Sequence, residues 1–178
     1  MPLPPFDQLL QDWKDHTIRF TLCPTLWSHC NVNSFLTGKI IKEIKFFSDT
    51  SDNIHEDIID VPNDKGGIYF FILKNEVLPS LSTQIMYIGR ARNTEHQNLR
   101  KRCREYFTKY YKDHYDRPHI HIMLKNWKDH LYLNFIELTD NEEIDSLEEK
   151  LINSIIPPFN HDIPNTEIKK INIATNAF

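Results

Sequence analysis

The sequence predicts an α/β protein of the α+β type, and three kinds of segment carry that prediction. Two runs of strand-forming residues, "GIYFFIL" and "QIMYIG", are separated by the turn-rich "NEVLPSLST". A third run, "LYLNFIEL", follows at Leu131–Leu138. Two amphipathic helical patterns, one basic and one acidic, accompany these strands.

The first two strand runs are expected to pair as an antiparallel hairpin, because their connection is short and rich in turn residues. Alternation along the first run gives two apolar faces, with Tyr69, Phe71 and Leu73 on one and Ile68, Phe70 and Ile72 on the other. Both faces should therefore be covered, and Tyr69 should be partly buried.

A basic amphipathic helix is predicted after the second strand, in "TEHQNLRKRCREYFTKYY". Thr94 followed by Gln97 has the spacing of a capping box, which would start the helix there. Between Ile88 and Lys112 the chain carries eight basic and two acidic side chains, although the whole protein has a net charge of −4. This segment is a candidate nucleic-acid surface, and the solvated face of an ordinary helix explains it equally well.

Arg102 has a distinct position on that helix. With Tyr106 and Lys109 it lies at the margin of the apolar face on a helical wheel, so its guanidinium can reach a phosphate from a sheltered position. Lys101 and Arg104 point further outward.

The acidic helix, "DNEEIDSLEEKLINSII", begins at the N-cap residue Asp140 and ends before Pro157. Glu148 falls in the middle of its apolar stripe, whereas Glu149 falls towards the polar side. An ionised carboxylate among isoleucines is costly, so Glu148 is expected to be protonated, ion-paired or bound to a metal. A structural pair with an arginine or lysine remains an alternative.

Residues 1–60 form an extension, and a domain of residues 61–178 follows the polar stretch around position 60. In the extension, "PFDQLLQDWKDH" predicts a helix, while "GKIIKEIKFFSD" fits a strand or a helix. The extension would either cover an exposed sheet edge or bind the target. In the domain, "HIHIML" alternates like a strand and would place His119 and His121 on one face.

The remaining composition predicts a soluble, cytoplasmic protein without a membrane partner. There is no basic segment followed by an apolar leader core, and no apolar run approaches membrane-spanning length. Three cysteines at irregular spacings agree with a reducing compartment.

Five features in order along the chain resemble the GIY-YIG nuclease superfamily. They are Gly67-Ile68-Tyr69, Tyr87-Ile88-Gly89, Arg102 on a basic helix, Glu148 on a later helix and Asn160 after its end. The resemblance runs from about Gly66 to Asn160. The tail "LEEKLINSIIPPFN" resembles the end of the nuclease domain in the bacterial excision-repair incision nuclease.

The resemblance implies a small three-stranded antiparallel sheet flanked by helices, and a phosphodiester hydrolase that uses one divalent metal, Mg²⁺ or else Mn²⁺. Glu148 would be the metal ligand, Arg102 the phosphate clamp and Tyr69 the general base. Tyr69 would need nearby positive charge, because a phenol ordinarily has a pKa near 10. Tyr87 and Tyr106 would orient the water or the phosphate, and Asn160 would anchor the tail around the site.

The expected function is that of a metal-dependent endonuclease acting on double-stranded DNA, of a restriction or phage-defence type. A structure-specific DNA repair or recombination nuclease, and a non-catalytic nucleic-acid-binding module of the same fold, are the alternatives. Double-strand cutting by one site per chain would require a homodimer or sequential nicking. The candidate DNA-binding residues are Arg90, Arg92, Arg100, Arg104 and Lys109.

Overall fold

Four antiparallel strands form one sheet: β1 Lys42–Lys45, β2 Gly66–Lys74, β3 Thr83–Ala91 and β4 Leu131–Leu138. Their order across the sheet is β1-β4-β2-β3. The computed structural model describes residues 3–30, 36–49, 53–75, 77–78, 83–112 and 116–176, so most of the predicted hairpin turn lies outside the described residues. The α+β class is confirmed, with four strands in the sheet where three were expected.

The additional strand comes from the N-terminal extension. β1 pairs with β4 from Lys42 opposite Phe135 to Lys45 opposite Tyr132, so the strand interpretation of "GKIIKEIKFFSD" applies to these residues. The extension thereby covers an edge of β4 that would otherwise be unpaired. Phe46, which follows β1, is fully buried in the same core as Tyr69.

The helices surround this sheet. Their bounds are α1 Phe6–Asp15, α2 Pro24–Cys30, α3 Leu99–Glu105, α4 Pro118–Asn126, α5 Asn141–Ile155 and α6 Thr166–Asn176. A π-helical segment, Tyr106–Tyr111, continues α3. In the described part of the chain, no helix is long and apolar enough to cross a membrane.

Two local predictions were wrong. The basic helix begins at Leu99 rather than near Thr94, because the Asn98 side chain caps it by accepting from the backbone N–H of Lys101 at 2.9 Å. "HIHIML" is part of α4 and not a strand. Pro118 occupies the first turn of that helix, and its apolar residues are spaced helically at Ile120, Met123 and Leu124, all fully buried.

The sheet separates two apolar cores, as the alternation predicted. Tyr69 and Phe71 pack in the core that contains α3 and α4, whereas Ile68 and Phe70 pack against α5. A β-bulge changes this alternation on β3, because Phe71 pairs with Tyr87 and the next residue of β2 pairs with Ile85. The extra residue of the bulge is Met86, so the consecutive residues Met86 and Tyr87 both lie in the core of Tyr69.

Both triplet glycines occupy positions where a side chain would collide with a neighbour. A Cβ on Gly67 would lie 2.0 Å from the carbonyl oxygen of Ile136, and the residue has a φ of +153°. Gly89 pairs with Tyr69 across the sheet, and a Cβ there would lie 2.4 Å from the Tyr69 hydroxyl. The glycine of the second triplet therefore makes room for the tyrosine of the first.

Gly89→Ala is expected to lower the free energy of unfolding by about 1–3 kcal/mol, because the added methyl group displaces the Tyr69 ring. Denaturant unfolding measures the change. In a Tyr69→Leu background the overlapping ring atoms are absent, so the same substitution should cost less. Equal costs in the two backgrounds would contradict this account.

Candidate active site

A cleft of about 750 Å³ collects side chains from β2, β3, α3, α5 and the segment after α5. Of the residues predicted to act in catalysis or to bind DNA, seven line it: Tyr69, Tyr87, Arg90, Arg92, Arg102, Glu148 and Asn160. Tyr106 lies behind this lining, in contact with Tyr69. Residues from both ends of the segment 66–160, which carries the GIY-YIG-like features, therefore meet in this cleft.

Three tyrosines cluster at the cleft: Tyr69 and Tyr87 line it, and Tyr106 lies behind them. The Tyr106 ring centroid lies 5.5 Å from that of Tyr69 and 5.7 Å from that of Tyr87. The hydroxyls of Tyr69 and Tyr106 share a hydrogen bond of 2.9 Å. Tyr69 and Tyr106 are fully buried, whereas Tyr87 is 8% exposed and so is the most accessible of the three phenols.

Burial raises the pKa of Tyr69 well above that of an ordinary phenol, and the nearby Tyr87 adds to this shift. Burial likewise raises the pKa of Tyr106. The positive charge of Arg102 opposes both shifts without cancelling them. Both phenols are therefore protonated at neutral pH, and ionisation of Tyr69 requires more positive charge than Arg102 supplies.

Arg102 is positioned by an aromatic ring and by an acid. Its Cζ lies 5.7 Å from the Tyr106 ring centroid, and its Nη1 donates to Glu105 Oε2 at 2.7 Å. The Glu105 side chain is only 14% exposed and also accepts from Gln97 at 3.1 Å. Sequence reasoning missed Glu105 as a positioning residue, although its spacing of three from Arg102 on a helix was a usable signal.

Glu148 faces the cleft from α5, and its side chain is 16% exposed. Its carboxylate forms an ion pair with Arg90 Nη1. Burial raises the pKa of Glu148, and Arg90 opposes that shift only in part. Arg90 has a second acceptor, since its Nε lies 2.9 Å from Asp145 Oδ1. Glu149 is exposed, in agreement with its predicted position on the polar side.

Glu148 is also the predicted metal ligand, and the donor set limits which metals fit. In the described ranges no group of three or more His, Cys, Asp or Glu side chains is placed to hold a metal ion. Mg²⁺ retains several waters and binds through one or two carboxylates together with substrate phosphates. A single, largely buried carboxylate beside arginines that can bind a phosphate fits that mode of binding.

Asn160 ties the segment after α5 to β3. Its Oδ1 accepts from the Ile88 N–H and its Nδ2 donates to the Ile88 carbonyl, each at 2.8 Å. The preceding residue, Phe159, donates its N–H to the Met86 carbonyl at 3.1 Å. These bonds hold the segment along the strand that carries Tyr87.

The predicted DNA-binding residues fall into two groups. Arg90 and Arg92 line the cleft, and both form ion pairs with Asp145. The Arg92 Nε donates to Asp145 Oδ1 at 2.9 Å. The other three residues, Arg100, Arg104 and Lys109, line a separate depression of about 520 Å³ on the outer side of α3. Arg100 donates to the carbonyls of Val61 and Ile59, so its guanidinium holds the neighbouring turn.

Arg117, Asp116 and His161 are among the further residues that line the cleft, and none of the three was predicted there in any role. His119 was expected on a strand and instead reaches the cleft from α4, where its ring stacks on that of His161 with centroids 3.8 Å apart. Because residues 119–124 were predicted as a strand, there was no reason in the sequence to expect Arg117 and His119 beside the cleft.

No family model, curated protein or solved structure matches the chain, so the proposal for its function depends on the side chains gathered in the cleft.

We predict that the Tyr69 and Tyr106 hydroxyls are energetically coupled. Tyr69→Phe or Tyr106→Phe alone should lower the free energy of unfolding by about 1–3 kcal/mol, because each leaves the other buried hydroxyl without its partner. The double variant should cost less than the sum of the two. Denaturant unfolding of all four proteins measures the coupling, and additive costs would argue against the hydrogen bond.

The raised pKa of Glu148 predicts how its effect on stability depends on pH. The folded protein binds the Glu148 proton more tightly than the unfolded chain does. The free energy of unfolding therefore falls as pH rises, beginning near the ordinary pKa of about 4.5 and ending above the raised pKa of the folded state. The parent should therefore lose stability relative to Glu148→Gln between pH 4.5 and 8. Parallel urea titrations test this, and a relative gain by the parent would refute the assigned direction.

Proposed function

We propose that the protein is a metal-dependent endonuclease that hydrolyses phosphodiester bonds in double-stranded DNA, with the cleft as its active site. The convergence of Tyr69, Tyr87, Arg102 and Glu148 in one cleft carries the proposal. The same residues define its resemblance to GIY-YIG nucleases. Hydrolysis needs a deprotonated water, stabilisation of charge on the phosphate and a neutralised leaving oxygen, and these side chains supply groups for each task.

Arg102 is the residue proposed to clamp the phosphate. Its guanidinium is held by Glu105 and the Tyr106 ring, so the side chain loses little conformational freedom when an anion binds. Glu148 would hold Mg²⁺ or Mn²⁺, and such an ion, when bound, neutralises charge on the phosphate oxygens.

Tyr69 is the proposed general base, and its role depends on the substrate-bound state. Burial opposes its ionisation in the free protein, so positive charge must arrive with the substrate and its metal. The Tyr106 hydroxyl lies 2.9 Å away and can donate to a phenolate at Tyr69. Tyr87, which is more exposed, would orient the water or the phosphate.

Arg90 pairs with one oxygen of Glu148, Oε2, so a metal that used both carboxylate oxygens would require Arg90 to release it. Asp145 provides the alternative partner, because its Oδ1 already forms an ion pair with the Arg90 Nε at 2.9 Å. Arg90 can thus remain paired while Glu148 changes partner. Arg92 and the outer-face residues Arg104 and Lys109 are proposed to contact the DNA backbone, which positions a duplex without reading its sequence.

A restriction or phage-defence role is the proposed biological setting, because the described residues form a compact domain in which target choice would depend on the cleft and its surroundings. A non-catalytic binding module of the same fold is the second candidate. The Arg90–Glu148 ion pair favours that alternative, since it satisfies the buried carboxylate without a metal.

Incubation of the purified protein with mixed plasmid and phage DNA tests the proposal, with Mg²⁺, with Mn²⁺ and with chelator. We expect discrete metal-dependent fragments, and a loss of about 100-fold or more in rate for Glu148→Gln. Glu149→Gln is the matched control, because this neighbouring acid is exposed. Circular dichroism confirms that both variants are folded.

Absence of cleavage of duplex, branched or single-stranded DNA and of RNA under every metal condition would refute the nuclease. DNA binding that survives Glu148→Gln, without cleavage by the parent, would identify the binding module. Cleavage that follows DNA shape instead of base sequence would move the assignment to a repair or recombination nuclease.

A further inference from the structure

Arg117 differs from the other arginines of the cleft in its electrostatic surroundings. Arg90, Arg92 and Arg102 each form an ion pair with a carboxylate. Arg117 also lines the cleft and is half-buried. Among the residues that the structure describes, no carboxylate forms an ion pair with its guanidinium. Its hydrogen bond is to a neutral hydroxyl, that of Tyr87.

Two aromatic residues hold the Arg117 guanidinium in place. Its Nη1 donates to the Tyr87 hydroxyl at 3.4 Å, and its Cζ lies 5.5 Å from the Tyr110 ring centroid. Neither contact neutralises the charge, because both partners are uncharged phenols. Since Tyr87 accepts from Arg117, the Tyr87 proton is available for donation to another group.

The neighbouring His119 does not add fixed positive charge to this wall. His119 stacks on His161 at an interplanar angle of 25°. Burial lowers the pKa of His119 to about 4, with further lowering by His161 and Arg117, so His119 is neutral near pH 7. Two acids also line this part of the cleft. Asp116 is exposed, and Asp162 lies 3.2 Å from Lys169.

An arginine that is partly removed from water and has no anionic partner gains a charge-assisted contact when an anion completes its surroundings. The planar guanidinium can donate two parallel hydrogen bonds to a phosphate, and the Tyr87 hydroxyl can donate a third. The cleft that contains this pair also contains Arg102 and Glu148. A nucleic-acid strand in the cleft carries a phosphate at every nucleotide, so a second phosphate can lie near the reacting one.

We propose that the Arg117 guanidinium, held beside the Tyr87 hydroxyl, forms a second phosphate-binding subsite, distinct from Arg102 and Glu148, which holds a phosphate neighbouring the one that is cut. The identity of the ligand as a nucleic-acid strand rests on the proposed function. The binding of a phosphate group to Arg117 does not.

Inorganic phosphate is the first probe, and thermal unfolding in phosphate against chloride of equal ionic strength is the measurement. The parent should be stabilised as phosphate is added. Arg117→Gln should weaken the apparent phosphate affinity about tenfold or more, because a charge-assisted contact is lost. Lys125→Gln, an exposed cation on the same helix, should behave as the parent.

A duplex oligonucleotide is the second probe, measured by fluorescence anisotropy in chelator so that no cleavage occurs. Arg117→Gln should lower the affinity and reduce the slope of log K against log salt by about 0.9, the value for one lost phosphate contact. Arg117→Lys should keep the slope, because it keeps the charge. A purely structural role would instead lower the melting temperature in chloride and leave the slope unchanged.

Unchanged phosphate and DNA binding by a folded Arg117→Gln would overturn the subsite, whether or not the parent cuts DNA. Phosphate binding that depends on Arg117, in a protein that does not bind DNA, would support a site for a small phosphate compound and overturn its assignment to a strand. Binding of both probes through Arg117 in a protein that never cleaves would support the subsite while the nuclease proposal fails.

Discussion

The packing of the Tyr69 ring against the backbone of Gly89 is the contact on which the cleft depends. Only a residue without a Cβ leaves space for that ring, because an added methyl carbon would lie 2.4 Å from the phenol oxygen. The position of the ring fixes its hydroxyl against Tyr106 at 2.9 Å, and Tyr106 in turn supports the Arg102 guanidinium. A sheet pairing thus determines the direction of a cation two contacts away. This explains the glycine of the second triplet, which provides the space for the tyrosine of the first, whereas the glycine of the first triplet avoids a collision with the Ile136 carbonyl.

The charges of the cleft are balanced locally, which is why the net charge of the chain is a weak guide to its ligand. Arg102 is paired with Glu105, and Arg90 is shared between Glu148 and Asp145. A ligand anion that binds these arginines competes with carboxylates already present, so it must bring its own cation or displace an acid. Of the four arginines that line the cleft, Arg117 is the one that forms no ion pair with a described carboxylate, so an anion that binds it displaces no acid.

The parts of the fold that sequence predicted are those with a repeated local signal. Alternation placed Tyr69 and Ile68 on opposite faces of the sheet, and helical spacing separated Glu148 from Glu149. Local rules failed where two of them competed. Thr94 and Asn98 are both good N-cap residues, and only the tertiary position of the chain decides for Asn98. "HIHIML" alternates with period two, but Pro118 and the burial of Ile120, Met123 and Leu124 make it a helix. Pairings between distant segments, such as β1 with β4 or Arg117 with Tyr87, leave no periodic trace in the sequence.

Two features of the surroundings of Glu148 would allow this carboxylate to exchange partners if the protein is a nuclease. A permanent structural ion pair is most favourable when each partner satisfies the other fully, whereas burial keeps the pKa of Glu148 raised despite Arg90. Arg90 retains Asp145 at 2.9 Å, so separation of the pair would leave the arginine paired and the carboxylate free to accept another cation. Only Glu148 would then lose its partner on separation. A divalent ion bound together with a phosphate would interact with this carboxylate more strongly than a guanidinium shared with Asp145. In the proposed nuclease, Arg90 would accordingly satisfy the carboxylate while the cleft is empty and yield it when substrate and metal arrive together.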